Sequence, residues 1–380
     1  MNFSIRTLIE KLHLWLGLFT APLVFFICIT GTIIVFCDEI MDFSAGDACY
    51  VNEVKAEPME TEALISILKT EFPNRWNPSY IVYYRDPRRS VRINSFGPTE
   101  GLHMVYMNQY TGEILKDDPT INFFYIVAHL HHSLLWHGPG EWIIDIGTII
   151  FLIALLTGMV LWWPRSLERK NMKKAFTFKL SGSRKRLNYD LHSVGGFYGL
   201  GLGLLLTITG LLIAFKPFSD FTQKSFGGDP NIQMRSVFAL ANDSTKTAVP
   251  INEVVQQAFV DFPEKTEIQL YTYWLDDWGY YAMYVANKIG IKSAMNGKLT
   301  AYDKYSGKRV PLQKELVINE AVSNMYWTLH LGNYLGLFGK IVTFLGGLIA
   351  SSLSVTGFFV WWNKRNKSRK SRKSLQIDIP

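Results

Sequence analysis

The sequence predicts a four-span membrane protein built from two copies of one unit, each running helix, external domain, helix. Three observations predict it. The chain has 380 residues, 48% hydrophobic and 14% aromatic with only 19% charged, which is too apolar for an ordinary pair of soluble domains. Four stretches hold the excess: 12–37, 191–215 and 341–363 carry no charge, and 142–163 carries only Asp145. Histidine and glycine recur at matched places in both halves. His13 and His192 stand 18 residues before Gly31 and Gly210, and His131 and His330 stand 27 residues before Gly158 and Gly357.

Each stretch is long enough to cross a hydrocarbon core of about 30 Å at about 1.5 Å per residue. The first is too long for a secretion-signal core. Asp38-Glu39 follow it where a cleavage site would need small residues, so it is expected to stay as an anchor. Lys and Arg concentrate in the loop 164–190, with nine, and in 364–373, with seven. The long segments 41–124 and 218–325 are nearly balanced, 8 basic against 12 acidic and 11 against 12. The positive-inside rule then places both termini and the middle loop in the cytoplasm and both long segments outside, in the periplasm of a bacterial inner membrane. The net charge of +7 reads as topology and contact with membrane lipid, not nucleic-acid binding. Cys28 and Cys37 fall in the first span and Cys49 outside it, with neither metal spacing nor a disulfide framework.

In chain order the organisation is a first span (1–40), an external domain (41–120), an interfacial helix plus second span (121–164) and a basic loop (165–187). A third span (188–217), a second external domain (218–318), an interfacial helix plus fourth span (319–363) and a basic tail (364–380) complete it. In each external segment an amphipathic helix, 61–73 or 251–263, ends at a proline. Alternating runs at 79–86, 90–94 and 102–108, and at 268–275 and 280–288, read as strands. Tyr-Thr-Gly-Glu and Tyr-Ser-Gly-Lys, within 107–115 and 302–310, read as hairpin turns with glycine at positive φ. A continuous helix from His131 to Trp162 would run roughly 46 Å, too long for a bilayer core. Gly138-Pro139-Gly140 therefore breaks it, as Gly336 to Gly339 do in the second half, leaving short interfacial helices at 121–136 and 319–335. Trp162-Trp163 and Trp361-Trp362 read as interfacial anchors. Trp274, Trp278 and Tyr281 read as packing for a small core.

Histidine is costly in hydrocarbon and usually functional there. Two facing histidines are what a six-coordinate b-type haem requires. His13 and His192 are expected to hold one haem at the cytoplasmic side. Gly17 and Gly196 lie one turn deeper on the same face, where a flat macrocycle can approach the backbone. Gly31 and Gly210, about five turns on, keep room at the far end. His131 and His330 are expected to hold a second haem at the external side. His129 aligns with Thr328, His132 with Leu331 and His137 with Gly336, so only His131 has a histidine counterpart. His129 and His132 stay open as alternative ligands, and His132 also as a contact to a propionate or substrate. Two other readings compete. The histidines cap spans beside small packing residues, or the cluster from His129 to His137 binds zinc or copper. His103, in an external strand, reads as an ordinary surface histidine.

There is no Walker A loop, and glycines 195, 196, 199, 201 and 203 lie inside a span, so no nucleotide loop is present. The basic loop is too short for a flavin or nicotinamide domain. The electron donor is then a separate molecule, quinol or a cytoplasmic reductase.

The paired spans, the Leu-His stretches, the Thr-Gly-x-x-x-Trp-Trp span ends and the Tyr-Thr-Gly-Glu turn together resemble the PepSY-associated transmembrane helix family over nearly the whole chain. The resemblance implies an inner-membrane protein with periplasmic PepSY-like α+β domains at 41–120 and 218–318. Some such relatives are tied to iron uptake and reduce ferric siderophores through membrane haems. The expected function is therefore a reductase carrying two haems b, passing electrons to a periplasmic acceptor, first of all a ferric siderophore. No catalytic residue is assigned beyond the haem ligands. One departure is His132, where such sequences often carry arginine. The alternatives are a membrane-tethered regulatory protein without redox activity and an electron-transfer subunit for a protein partner.

Overall fold

The computed structural model describes residues 4–234, 242–273 and 275–377, with side chains up to 366. Trp274 lies outside them. The chain begins with α1 (Ile5–Ile34), α2 (Cys37–Ala45), α3 (Thr61–Glu71) and the strands β1 (Tyr80–Tyr84), β2 (Val91–Gly97), β3 (Gly101–Met107) and β4 (Ile114–Asp118). There follow α4 (Thr120–Ser133), α5 (Pro139–Trp162), α6 (Arg169–Phe176), α7 (Arg184–Ala214), α8 (Lys216–Ser225) and α9 (Ile251–Asp261). Strands β5 (Glu267–Tyr271), β6 (Tyr280–Ala286), β7 (Lys288–Ile289), β8 (Ala294–Met295), β9 (Lys298–Asp303) and β10 (Arg309–Val310) precede α10 (Lys314–His330) and α11 (Gly336–Ile377). These elements sort into a helical unit, 1–35 with 127–215 and 335–380, and a mixed unit, 36–126 with 216–334.

In the helical unit α1, α5, α7 and the segment Asn333–Asn366 are long and apolar enough to cross a membrane. Large apolar side chains such as Trp15, Phe19 and Leu205 stay exposed on them, as lipid-facing surfaces require. Extensive packing joins α1 to α5 and α11, and α7 to the same two helices. The four therefore close a ring with α1 and α7 on its diagonal. Small residues permit the approach: Gly199 receives Ile349, Gly203 receives Leu155 and Gly347 receives Thr32. Pro139 opens α5 after Gly138, which has φ 78°, the position where proline's missing N–H loses nothing.

Two expectations for the spans are corrected. Cys37 does not belong to the first span, since α1 stops at Ile34 and Cys37 starts α2. Asp38 and Glu39 occupy the first turn of α2, where a helix N-terminus favours acidic side chains. Trp162 is more than an interfacial anchor. Its ring stacks on Phe197 at 3.7 Å and its Nε1 donates to the Ala175 carbonyl at 3.0 Å, fastening the basic loop to α7. Trp163 remains 59% exposed, as an anchor should.

The mixed unit contains one eight-stranded sheet of order β10-β9-β6-β5-β1-β2-β3-β4. Its neighbours are antiparallel. The two external segments are thus not separate domains. β1 pairs with β5 from Tyr80↔Tyr271 to Tyr84↔Glu267. Each would otherwise be an open edge, and pairing them satisfies both rows of backbone groups. Ile81 and Leu270, opposite one another at this seam, are fully buried. On one face Leu64 and Leu68 of α3 cover Ile81, Ile93 and Val105, while Val254, Val255 and Ala258 of α9 cover Ile268, Leu270 and Met283. On the other face Leu316 of α10 packs near Ala282, Tyr284 and Leu299. Trp278 and Tyr281 are buried, as expected of core residues. Gly112 and Gly307 have φ of 73° and 66°, the left-handed turns the motifs require. Strands β4 and β9 were not legible from alternation.

His103 is not an ordinary surface residue. Its Nδ1 lies 3.0 Å from Asp117 Oδ1. The buried Arg75 guanidinium forks onto Asp117 at 2.8 and 2.7 Å and reaches Glu100 at 2.6 Å. A strand position facing an acidic partner across β3 and β4 ties it into an ion-pair network.

Burial pushes the Glu320 carboxyl on α10 above its ordinary pKa. Its ionised form is therefore disfavoured in the folded chain, and stability falls as pH rises from the unfolded carboxylate value through the raised folded one. Glu320→Gln is expected to flatten that slope, which melting curves of the purified protein at about pH 5 and about pH 7.5 measure.

Candidate functional site

Three of the four repeated histidines sit in the helical unit, and each ring is seated on a Thr-Gly pair of another helix. His13 on α1 places its Nδ1 3.1 Å from the Ala154 carbonyl and 3.0 Å from Thr157 Oγ1 on α5. A Cβ on Gly158 would stand 3.2 Å from the His13 Cε1. His192 on α7 does the same on α11, with Nδ1 3.2 Å from both the Leu353 carbonyl and Thr356 Oγ1. Its Cε1 lies 2.9 Å from a Cβ built on Gly357. His131 on α4 uses α1: Nδ1 is 2.9 Å from the Ile27 carbonyl and 3.2 Å from Thr30 Oγ1. A Cβ on Gly31 would meet its Cε1 at 2.8 Å.

The physics of the seat is simple. The accepting carbonyl is always four residues before the glycine, so it already takes that glycine's N–H in the helix. Any side chain at the glycine would cover the carbonyl. Its absence lets an imidazole reach the second lone pair. A carbonyl only accepts, so Nδ1 carries the proton, and this hydrogen bond sets the tautomer. With Nδ1 protonated, Nε2 of His13 and of His192 is the unprotonated nitrogen, the state a metal ligand needs.

The threonines are the functional residues that the sequence reading overlooked. Their signal was present, because every one of the four repeated glycines follows a threonine: Thr30, Thr157, Thr209 and Thr356. The glycines also change role. Gly31 is the seat of His131 and not open room for a macrocycle. Gly17 keeps its space, with no atom within 4 Å of an added Cβ, whereas Gly196 faces Leu353 at 3.4 Å and serves helix packing. Gly210 lies in α7, and His330 ends α10 in the mixed unit.

Across the ring of helices, His13 and His192 approach each other, with ring centroids 6.3 Å apart and planes at 65°. Two imidazoles gripping one metal from opposite sides, at roughly 2 Å per bond, have centroids roughly 6 Å apart. Between α1 and α11 an apolar cleft of about 480 Å³ opens, lined by Leu18, Ala21 and Phe25 on one side and Val355 and Phe359 on the other; neither histidine lines it. Two imidazole donors at this separation suit the paired ligation that a b-type haem iron takes. His129 and His132 point elsewhere. Their rings lie with His137, while His131 alone of the three occupies a Thr-Gly seat.

Four apolar helices and a sheet-bearing unit define a multi-pass membrane protein whose helices position imidazoles. The family model described as PepSY-associated TM region matches residues 11–364, and the chain belongs to that family. Comparison with curated proteins finds no match.

Proposed function

We propose that the protein is a duplicated b-type di-haem oxidoreductase of a bacterial inner membrane, with both termini cytoplasmic, that delivers electrons to a periplasmic acceptor. The observation that carries this reading is the facing pair His13 and His192, each with Nδ1 already committed. A haem held there supplies a reversible one-electron iron couple. The chain's own residues hold the imidazoles at fixed tautomer and orient them through Thr157 and Thr356. The sequence repeat supports His131 and His330 as ligands of the second haem, and the seat of His131 on Thr30-Gly31 matches those of His13 and His192. The family resemblance makes a ferric siderophore the first acceptor to try, since reduction to ferrous iron loosens a hard-oxygen chelate. Quinol or a cytoplasmic reductase is the donor.

The test is an absorbance spectrum of purified protein from haem-replete cells. Dithionite should bring up b-type α and Soret bands, and a pyridine haemochrome assay should count two haems per chain. A colourless preparation would end this reading and favour a regulatory role for the mixed unit.

A finer prediction concerns the seats. Thr157→Val and Thr356→Val keep the shape but remove the hydroxyl beside Nδ1. Losing an outer-shell partner of this kind typically weakens metal binding about 10–100-fold. Each variant is therefore expected to lose haem faster to apomyoglobin than the parent protein does.

A further inference from the structure

We infer that His129, His132 and His137 form a binding site for a divalent transition-metal ion of the imidazole-preferring kind, with copper(II) the tightest occupant. This site does not depend on haem. The three rings form a compact triangle, with centroids 4.8 Å apart for His129 and His132, 5.6 Å for His129 and His137, and 6.4 Å for His132 and His137. An ion held by three imidazole nitrogens at about 2.0–2.1 Å in the square-planar arrangement copper(II) prefers sets the centroids roughly 4.5 Å apart for neighbouring rings and roughly 6.4 Å for opposite ones. Among the described residues no three donor groups already converge at ligand distance. His137 is exposed and Glu141 half-exposed, so the two side chains can turn together and close the remaining gap with their contact kept.

The backbone is shaped to make this triangle. His129 and His132 share a face of α4 at i and i+3. His137 lies beyond the helix end and is brought back by a tight turn, in which Leu135 N–H donates to the His129 carbonyl at 3.3 Å and Trp136 N–H to Ser133 at 2.8 Å. That turn forces Leu134 and Leu135 to φ of 54° and 58°, a region leucine rarely enters. Such strain persists where the surroundings hold it and clusters at functional sites. The other half of the chain turns at the corresponding place with glycines, Gly332 and Gly336, at φ of 74° and 58°. It also carries Thr328, Leu331 and Gly336 where this half has the three histidines. The cluster is therefore peculiar to the first half and is not needed to build the turn.

Glu141 supplies the second shell. Its Oε1 lies 3.3 Å from His137 Nδ1, the arrangement in which a carboxylate orients a ligating histidine and leaves Nε2 for the metal. Three neutral nitrogen donors without thiolate select copper, zinc or nickel over magnesium or calcium, and copper(II) binds most tightly among the divalent ions.

The experiment is a copper(II) titration of tag-free, detergent-solubilised full-length protein, followed by electron paramagnetic resonance and competition with a chelator. One copper per chain with nitrogen hyperfine structure is expected, displaced by excess zinc only slowly. His129→Ala and His137→Ala should each weaken binding at least tenfold, and Glu141→Gln about 10–100-fold. His103→Ala should leave it unchanged, and the three variants at the cluster should keep the parental melting temperature. The assignment fails if His129→Ala and His137→Ala bind copper like the parent, or if the parent retains none against a weak chelator. Haem content, read on the same samples, reports separately on His13 and His192.

Discussion

His192→Ala is expected to remove about half of the haem from the purified protein, and His13→Ala the same half. The two rings stand 6.3 Å apart on helices across the bundle, so a haem held between them would lose one of its two imidazole donors in either variant. The double variant should then lose no more than either single one. A pyridine haemochrome ratio for each variant checks this. Gly357→Val offers a stricter version, because it leaves both histidines in place. Its Cβ would stand 2.9 Å from His192 Cε1, closer than such contacts occur, and the added methyls would cover the Leu353 carbonyl. The ring must leave its seat, so the same half of the haem should go. Full retention in all three variants would separate these histidines from the cofactor.

Leu270→Ala should destabilise the mixed unit by about 2–5 kcal/mol, the usual penalty for a cavity at a fully buried leucine. The informative part is where the loss is felt. Leu270 belongs to the second external segment, yet it lies opposite Ile81 of the first, across the β1–β5 seam. If the sheet folds as one cooperative body, amide exchange should accelerate in β2 and β3 as well as in β5 and β6. Ile81→Ala should behave alike, and the double variant should fall short of additivity because the two side chains line one site. Exchange confined to β5, β6 and β9 would mean two independently folding halves.

Much of this was open to inspection before any coordinates. Uncharged runs of bilayer length mark candidate spans, and all four fall in helices long and apolar enough to cross a membrane. The amphipathic helices of the external segments appeared at Thr61–Glu71 and Ile251–Asp261, within two residues of where period and proline placed them. Strand β4 hid behind the turn of 107–115 because Ile114–Asp118 has no alternating pattern. The pairing of β1 with β5 joins residues nearly two hundred positions apart, and alternation along either strand is the same whether its neighbour is water or another strand.

The site divides along the same line. Spacing within the chain determined that four histidines recur with four glycines, because repeats and helical periods are local properties. It could not say which glycine serves which histidine, because spacing along one helix carries no information about its neighbour. His13 sits on Gly158 and His131 on Gly31, an exchange between helices. Only the packing of α1 against α5, and of α7 against α11, decides that, since a seat consists of a bare carbonyl on one helix and a ring from its neighbour.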